Sequence, residues 1–146
     1  MLELEAVQYK GFRNLYNDDG EAIGFQVGIR FVAYRGPWLS QFRFGNITVD
    51  GEKFGADKCT FVIGGVEYTY DEMLQLGRVK WPLKEAMTIK VKKPGGLAQG
   101  NHTVSVLYGE VASYIPGDAG ELDVTRPAGG HGHSEEFGFV REMIIV

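Results

Sequence analysis

From Ile23 to Phe31, apolar and polar positions alternate without a break. Ile23, Phe25, Val27, Ile29 and Phe31 fall on one face, and Gly24, Gln26, Gly28 and Arg30 on the other. A period of two over this length predicts a strand with one face on a core. Phe42 to Val49 predicts a second strand, and Asp50-Gly51 supplies a two-residue turn after it. Met87, Ile89 and Val91 alternate with Thr88, Lys90 and Lys92, a clean half-exposed strand. His102 to Ile115 reads as a long strand with Val104, Val106 and Tyr108 on one face and a kink or bulge at Gly109.

Weaker signals fill the gaps. Leu2 to Tyr9 predicts an edge strand, and Gly11-Phe12-Arg13-Asn14 then leads into a turn at Asn17-Asp18-Asp19-Gly20. Glu52 to Lys58 is polar and predicts a loop. Thr60 to Ile63 and Val66 to Tyr70 flank Gly64-Gly65, the pattern of a tight hairpin. Thr69 with Glu72 three positions on is a capping box for a turn or two of helix over Asp71 to Leu76, ended by Gly77. Pro94-Gly95-Gly96-Leu97 and Gly100-Asn101 predict a reversal like the late hairpin of immunoglobulin-like sandwiches. Residues 117–136 are rich in Gly, Pro and acids and predict a mobile excursion, and residues 137–146 a last strand.

These elements predict one all-β domain over residues 1–146, an immunoglobulin-like antiparallel β-sandwich of about eight strands with one short helix. The 21 glycines among 146 residues fit a turn-rich chain. At this length a chain buries about two thirds of its unfolded surface. The net charge of −4 argues against a nucleic-acid surface. Residues 1–116 hold 13 acids and 13 bases, so the excess acidity lies beyond Gly117. The start of the chain does not read as a leader, no apolar run approaches membrane-spanning length, and a cytoplasmic protein is the expectation. The lone Cys59 sits in an apolar run and is expected to be a buried, inert thiol.

Few residues point to chemistry. His131 and His133, two apart, would project two imidazoles to one side of an extended segment, with Glu135 and Glu136 beside them. That suits a cupin-like metal pair, or else solvated imidazoles on a glycine-rich loop. His102, just after a turn, fits a structural role. Asp71 and Glu72 point apart on a helix and suit its N-terminus on dipole grounds. Lys90, Lys92 and Lys93 read as a solvated basic edge. No nucleophile elbow, phosphate-binding loop or dinucleotide fingerprint occurs. What stands out is aromatic and arginine content on loops: Tyr34, Arg35, Trp38, Trp81 and Tyr114, the residue types that dominate binding hot spots. Trp38 could equally plug one end of the core. A binding module or a subunit follows, with a stand-alone carbohydrate-binding or adaptor sandwich as the alternative.

Set in order, the motifs resemble the C-glycoside deglycosidase beta subunit family. They are Gly11-Phe12-Arg13-Asn14, Gly24-Phe25-Gln26-Val27 with Arg30, Tyr34-Arg35-Gly36 with Leu39-Ser40, and Val49-Asp50-Gly51-Glu52. Tyr68-Thr69 with Asp71-Glu72-Met73, Trp81, Lys93-Pro94-Gly95-Gly96-Leu97, Gly100-x-His102-x-Val104 and Ser113-Tyr114-Ile115-Pro116 follow. The tail from Gly117 is longer than the family's pattern.

The resemblance implies a sandwich that pairs with a larger TIM-barrel alpha subunit, similar to sugar isomerases, in which a divalent metal, manganese, and the catalytic base reside. The pair would cleave the C–C bond between an oxidised sugar and an aromatic aglycone. The sugar's 3-ketone acidifies the proton at C2, an enolate forms, and the protonated aryl carbon leaves by elimination. This chain would then supply no catalytic residue, metal ligand or cofactor. Its partner interface or active-site rim would be Tyr34, Arg35, Gly36, Pro37 and Trp38 with Ser113, Tyr114 and Pro116.

Overall fold

The computed structural model describes residues 3–31, 38–77, 79–82, 84–110 and 139–146. Among these residues the chain runs through β1 (Val7–Tyr16), β2 (Ala22–Ile29), β3 (Phe42–Val49), β4 (Glu52–Phe54), β5 (Cys59–Ile63) and β6 (Val66–Tyr68). The helix α1 (Tyr70–Leu74) follows, then β7 (Met87–Lys92), β8 (Gly100–Glu110) and β9 (Phe139–Ile145). One sheet has the order β1-β2-β7-β5-β6 and the other β4-β3-β8-β9. The result is the expected all-β sandwich, with nine strands rather than eight. No helix among the described residues is long and apolar enough to cross a membrane.

Alternation builds the core from both sheets. Phe25, Val27 and Ile29 of β2 pair with Val91, Ile89 and Met87 of β7, and all six are buried. Ile47 and Val49 of β3 pair with Val106 and Val104 of β8, also buried. Asp50 and Gly51 turn β3 into β4 with φ of 50° and 89°, and Gly64 and Gly65 turn β5 into β6 with 61° and 79°. Positive φ at both central residues matches the twist of the strands they join. Gly24 answers a close approach, because a Cβ there would lie 2.0 Å from the Val91 carbonyl oxygen. Gly24→Ala must therefore push β2 from β7. We expect it to cost at least about 2 kcal/mol, read as a lowered urea midpoint at unchanged slope.

Several local expectations are corrected. The first strand begins at Val7 and carries on through Gly11-Phe12-Arg13-Asn14 to Tyr16. It is an edge strand, and between Gln8 and Arg13 it bulges, with Gly11 at φ 86°. Ile23 is exposed and β2 stops at Ile29, although Phe31 beyond it is buried. Glu52 to Phe54 is a strand, because it pairs with β3, and Ala56–Lys58 is a 3-10 turn. The helix spans Tyr70–Leu74, starting one residue and ending two residues before the expected bounds, with the capping box in place: Glu72 N–H donates to Thr69 Oγ1 and Thr69 N–H to Glu72 Oε1.

The bulge in the β3–β8 ladder falls at Gly45 and not at Gly109, since Phe44 pairs with Tyr108 and Asn46 with Leu107. The Lys93–Gly100 connection crosses between the sheets, so it is no hairpin. β7 is an interior strand, so Lys90 and Lys92 decorate a sheet face. Lys90 is paired with Glu67, and Lys93, beyond the strand, with Glu52. The excursion expected at 117–136 lies outside the described residues. The last strand is Phe139–Ile145.

Candidate functional site

The strand registers give the sandwich two unlike ends. Ile29 is opposite Met87, Phe42 opposite Glu110, and Val106 opposite Phe139. The connections from Phe31 to Trp38 and from Glu110 to Phe139 thus start and finish at one end, which we call the aromatic pole. Tyr34, Arg35, Gly36 and Pro37 belong to the first connection. Ser113, Tyr114, Pro116, His131 and His133 belong to the second. These residues lie outside the described residues, but both connections are anchored at the same pole. Of the predicted interface residues, the structure describes Trp38.

Trp38 leads into a 3-10 turn, Leu39–Gln41, whose first two residues are buried. Its N–H donates to Gln41 Oε1 (3.0 Å), while Gln41 N–H donates to the Trp38 carbonyl (2.8 Å). Trp38 forms an isolated β-bridge with Lys80, and Leu39 N–H donates to the Val79 carbonyl (2.7 Å). The indole remains 36% exposed, with Lys80 Nζ 4.9 Å from its ring centroid and Val79 also exposed. Cation and ring attract through the ring quadrupole, which limits the indole's motion at little cost. Sequence reasoning passed over Lys80, because nothing in its neighbourhood announces a pairing with Trp38.

Next along the chain from Lys80, Trp81 belongs to a cluster of packed rings. Phe42 meets Phe61, Trp81 and Tyr70 edge-on at 5.8, 5.7 and 6.4 Å, and Phe31 meets Trp81 at 5.2 Å. Trp81, expected on an exposed loop, is only 1% exposed, and its Nε1–H donates to the Glu85 carbonyl at 2.7 Å. The reason is packing, since its ring lies against Phe31 and Phe42 in the core. Tyr108 on β8 donates its hydroxyl to the Arg30 carbonyl (2.5 Å), tying the sheets together next to the first connection. Tyr70 Oη accepts the Phe44 N–H at the Gly45 bulge (3.0 Å). Burial raises both phenols above their ordinary range, so both stay neutral near pH 7. Arg43, on the other face of β3 from Phe42, is buried and donates Nη1 to the Ser40 and Phe42 carbonyls at 3.0 and 2.8 Å. It clamps the 3-10 turn onto β3. Its place between two phenylalanines was the only signal for it.

The opposite end, the turn pole, gathers four of the motifs into one hydrogen-bonded cluster. Asn14 exchanges two bonds with Leu97, Nδ2–H to the carbonyl and N–H to Oδ1, each 2.8 Å. His102 is buried, with Nδ1 2.5 Å from Asp50 Oδ2 and Nε2 2.6 Å from the Ala98 carbonyl. Asp50 Oδ1 also accepts the Thr103 N–H at 2.8 Å. Burial works against the imidazolium, but the Ala98 carbonyl and Asp50 outweigh it, and the His102 pKa is raised above 6.5. The Thr103 and His102 bonds hold the Asp50 carboxyl below its ordinary range. Cys59 is buried, as expected, and burial with nearby Asp57 pushes its thiol up to about 12. Among the described residues no group of three or more His, Cys, Asp or Glu could hold a metal ion.

A sandwich that presents a partly exposed tryptophan, paired with a lysine beside a cluster of packed rings, has the build of a binding or assembly module. Residues 2–114 match the family described as C-glycoside deglycosidase beta subunit. A C-glycoside deglycosidase beta subunit of Eubacterium cellulosolvens is 42% identical over 115 residues, 79% of this chain and 78% of its own length. The chain belongs to the C-glycoside deglycosidase beta subunit family. The family match ends before β9, the strand that completes the second sheet.

Proposed function

We propose that this chain is the scaffolding, active-site-supporting beta subunit of an enzyme that cleaves the C–C bond of 3-oxo-C-glycosides of aromatic aglycones. The bond is broken in an alpha subunit of TIM-barrel type, which carries the base and a divalent metal. That metal would supply charge stabilisation for the enolate oxygen. This chain's part is to present a rigid surface at the aromatic pole. There Trp38 is the central anchor, and the connections bearing Tyr34, Arg35, Ser113 and Tyr114 flank the alpha subunit's pocket.

The observation that carries the reading is the family match over residues 2–114, which takes in every motif of the aromatic pole up to Tyr114. The geometry agrees in kind, because a large, partly exposed indole already held against Lys80 loses little entropy when a partner covers it. The test is co-expression with a candidate barrel subunit followed by size-exclusion chromatography. One stoichiometric complex is expected. A chain that stays separate and monodisperse beside its candidate, and instead retains sugar on an affinity column, would speak for a stand-alone carbohydrate-binding sandwich.

A further inference from the structure

We propose that His102 is a protonation-dependent lock on the turn pole, holding the Lys93–Gly100 connection closed over the sandwich while its ring carries a proton on both nitrogens. The geometry requires this form. Asp50 Oδ2 and the Ala98 carbonyl oxygen are both acceptors, so both nitrogens must donate, and a neutral imidazole has one N–H. On deprotonation the remaining N–H stays with the carboxylate, the stronger acceptor. Nε2 then turns a lone pair toward the Ala98 carbonyl at 2.6 Å, and the connection is pushed away.

The charges on the surrounding elements are engaged elsewhere. Lys93 pairs with Glu52 across the same connection, and Glu142 of β9 accepts from the Thr103 hydroxyl. From β1 the Phe12 ring meets the imidazole edge-on at 6.5 Å and brings no charge, and Met143 is the cross-strand neighbour on β9. Asp50 is thus the one ionised group in contact with the ring among the described residues. Because folding raises the His102 pKa, the stabilisation is fully present below about pH 6.5 and is lost as pH rises through the folded value.

The test is a proton NMR titration of the full chain, with the His102 C–H resonances assigned by comparison with His102→Gln. Amide exchange is followed at Leu97 and Gly95, whose N–H groups bond to Asn14 Oδ1 and the Ala22 carbonyl. His102 should titrate above 6.5, the ordinary imidazole value, because Asp50 and the Ala98 carbonyl favour its charged form. Through that titration, exchange at Leu97 and Gly95, corrected for intrinsic base catalysis, should accelerate about tenfold or more, the factor for losing one hydrogen bond to a charged group. The Phe44 amide, held by Tyr70, should keep its protection. His102→Gln should abolish the pH dependence. If that variant does not fold, Asp50→Asn should lower the His102 titration point and move the opening with it. A His102 that titrates at or below 6.5, or protection at Leu97 and Gly95 that ignores its titration, would overturn the lock.

Discussion

Trp81→Ala will lower folding stability by about 3–5 kcal/mol, the range for removing a large buried aromatic side chain. The indole touches Phe31 and Phe42, and Phe42 in turn touches Phe61, Tyr70 and Tyr108. The cavity therefore opens beside Phe31 and Phe42, and the Glu85 carbonyl loses its indole donor. Urea unfolding followed by far-ultraviolet circular dichroism reads the loss. Trp81→Phe keeps most of the ring area and should recover more than half of it. A change below about 1 kcal/mol for Trp81→Ala would mean that the ring cluster is not a packed core.

Trp38→Ala has the opposite profile. The indole is partly exposed, and its contacts in the free chain are a cation and a two-residue bridge. The unfolding midpoint should move by less than the equivalent of about 1 kcal/mol. Association with the alpha subunit should weaken by about 2 kcal/mol or more, which is about thirtyfold in Kd. Titration calorimetry with the purified alpha subunit measures this directly. Unchanged affinity in a normally folded variant would remove Trp38 from the interface.

The two tryptophans show where the sequence stops being legible. Both precede or follow proline in aromatic, basic surroundings, and nothing local separates the anchor from the core plug. The difference lies in the crossing of the chain at Lys80, where Trp38 and Lys80 pair in the antiparallel sense. The strands were legible because alternation over five or more residues has one cause, a half-buried sheet. Thus β3 was predicted at its observed bounds, and the Gly64-Gly65 and Asp50-Gly51 turns at their observed positions.

Which strands share a sheet was not legible. Pro94-Gly95-Gly96-Leu97 has the chemistry of a hairpin turn and yet carries the chain from one sheet to the other. The Gly45 bulge was hidden for a similar reason. A glycine in a strand signals a bulge somewhere in the pair, and the sequence offered Gly109 as readily. The turn pole was invisible for want of range, since Asn14 meets Leu97 and Asp50 meets His102 across 83 and 52 positions of chain.

The division of labour between subunits is tested most directly by a reconstitution assay. This chain and the alpha subunit are purified apart, and turnover of a 3-oxo-C-glucoside is followed by release of the aglycone. We expect no turnover from this chain alone and full turnover once the alpha subunit is added to saturation. Full-rate release of the aglycone by this chain on its own would contradict the account.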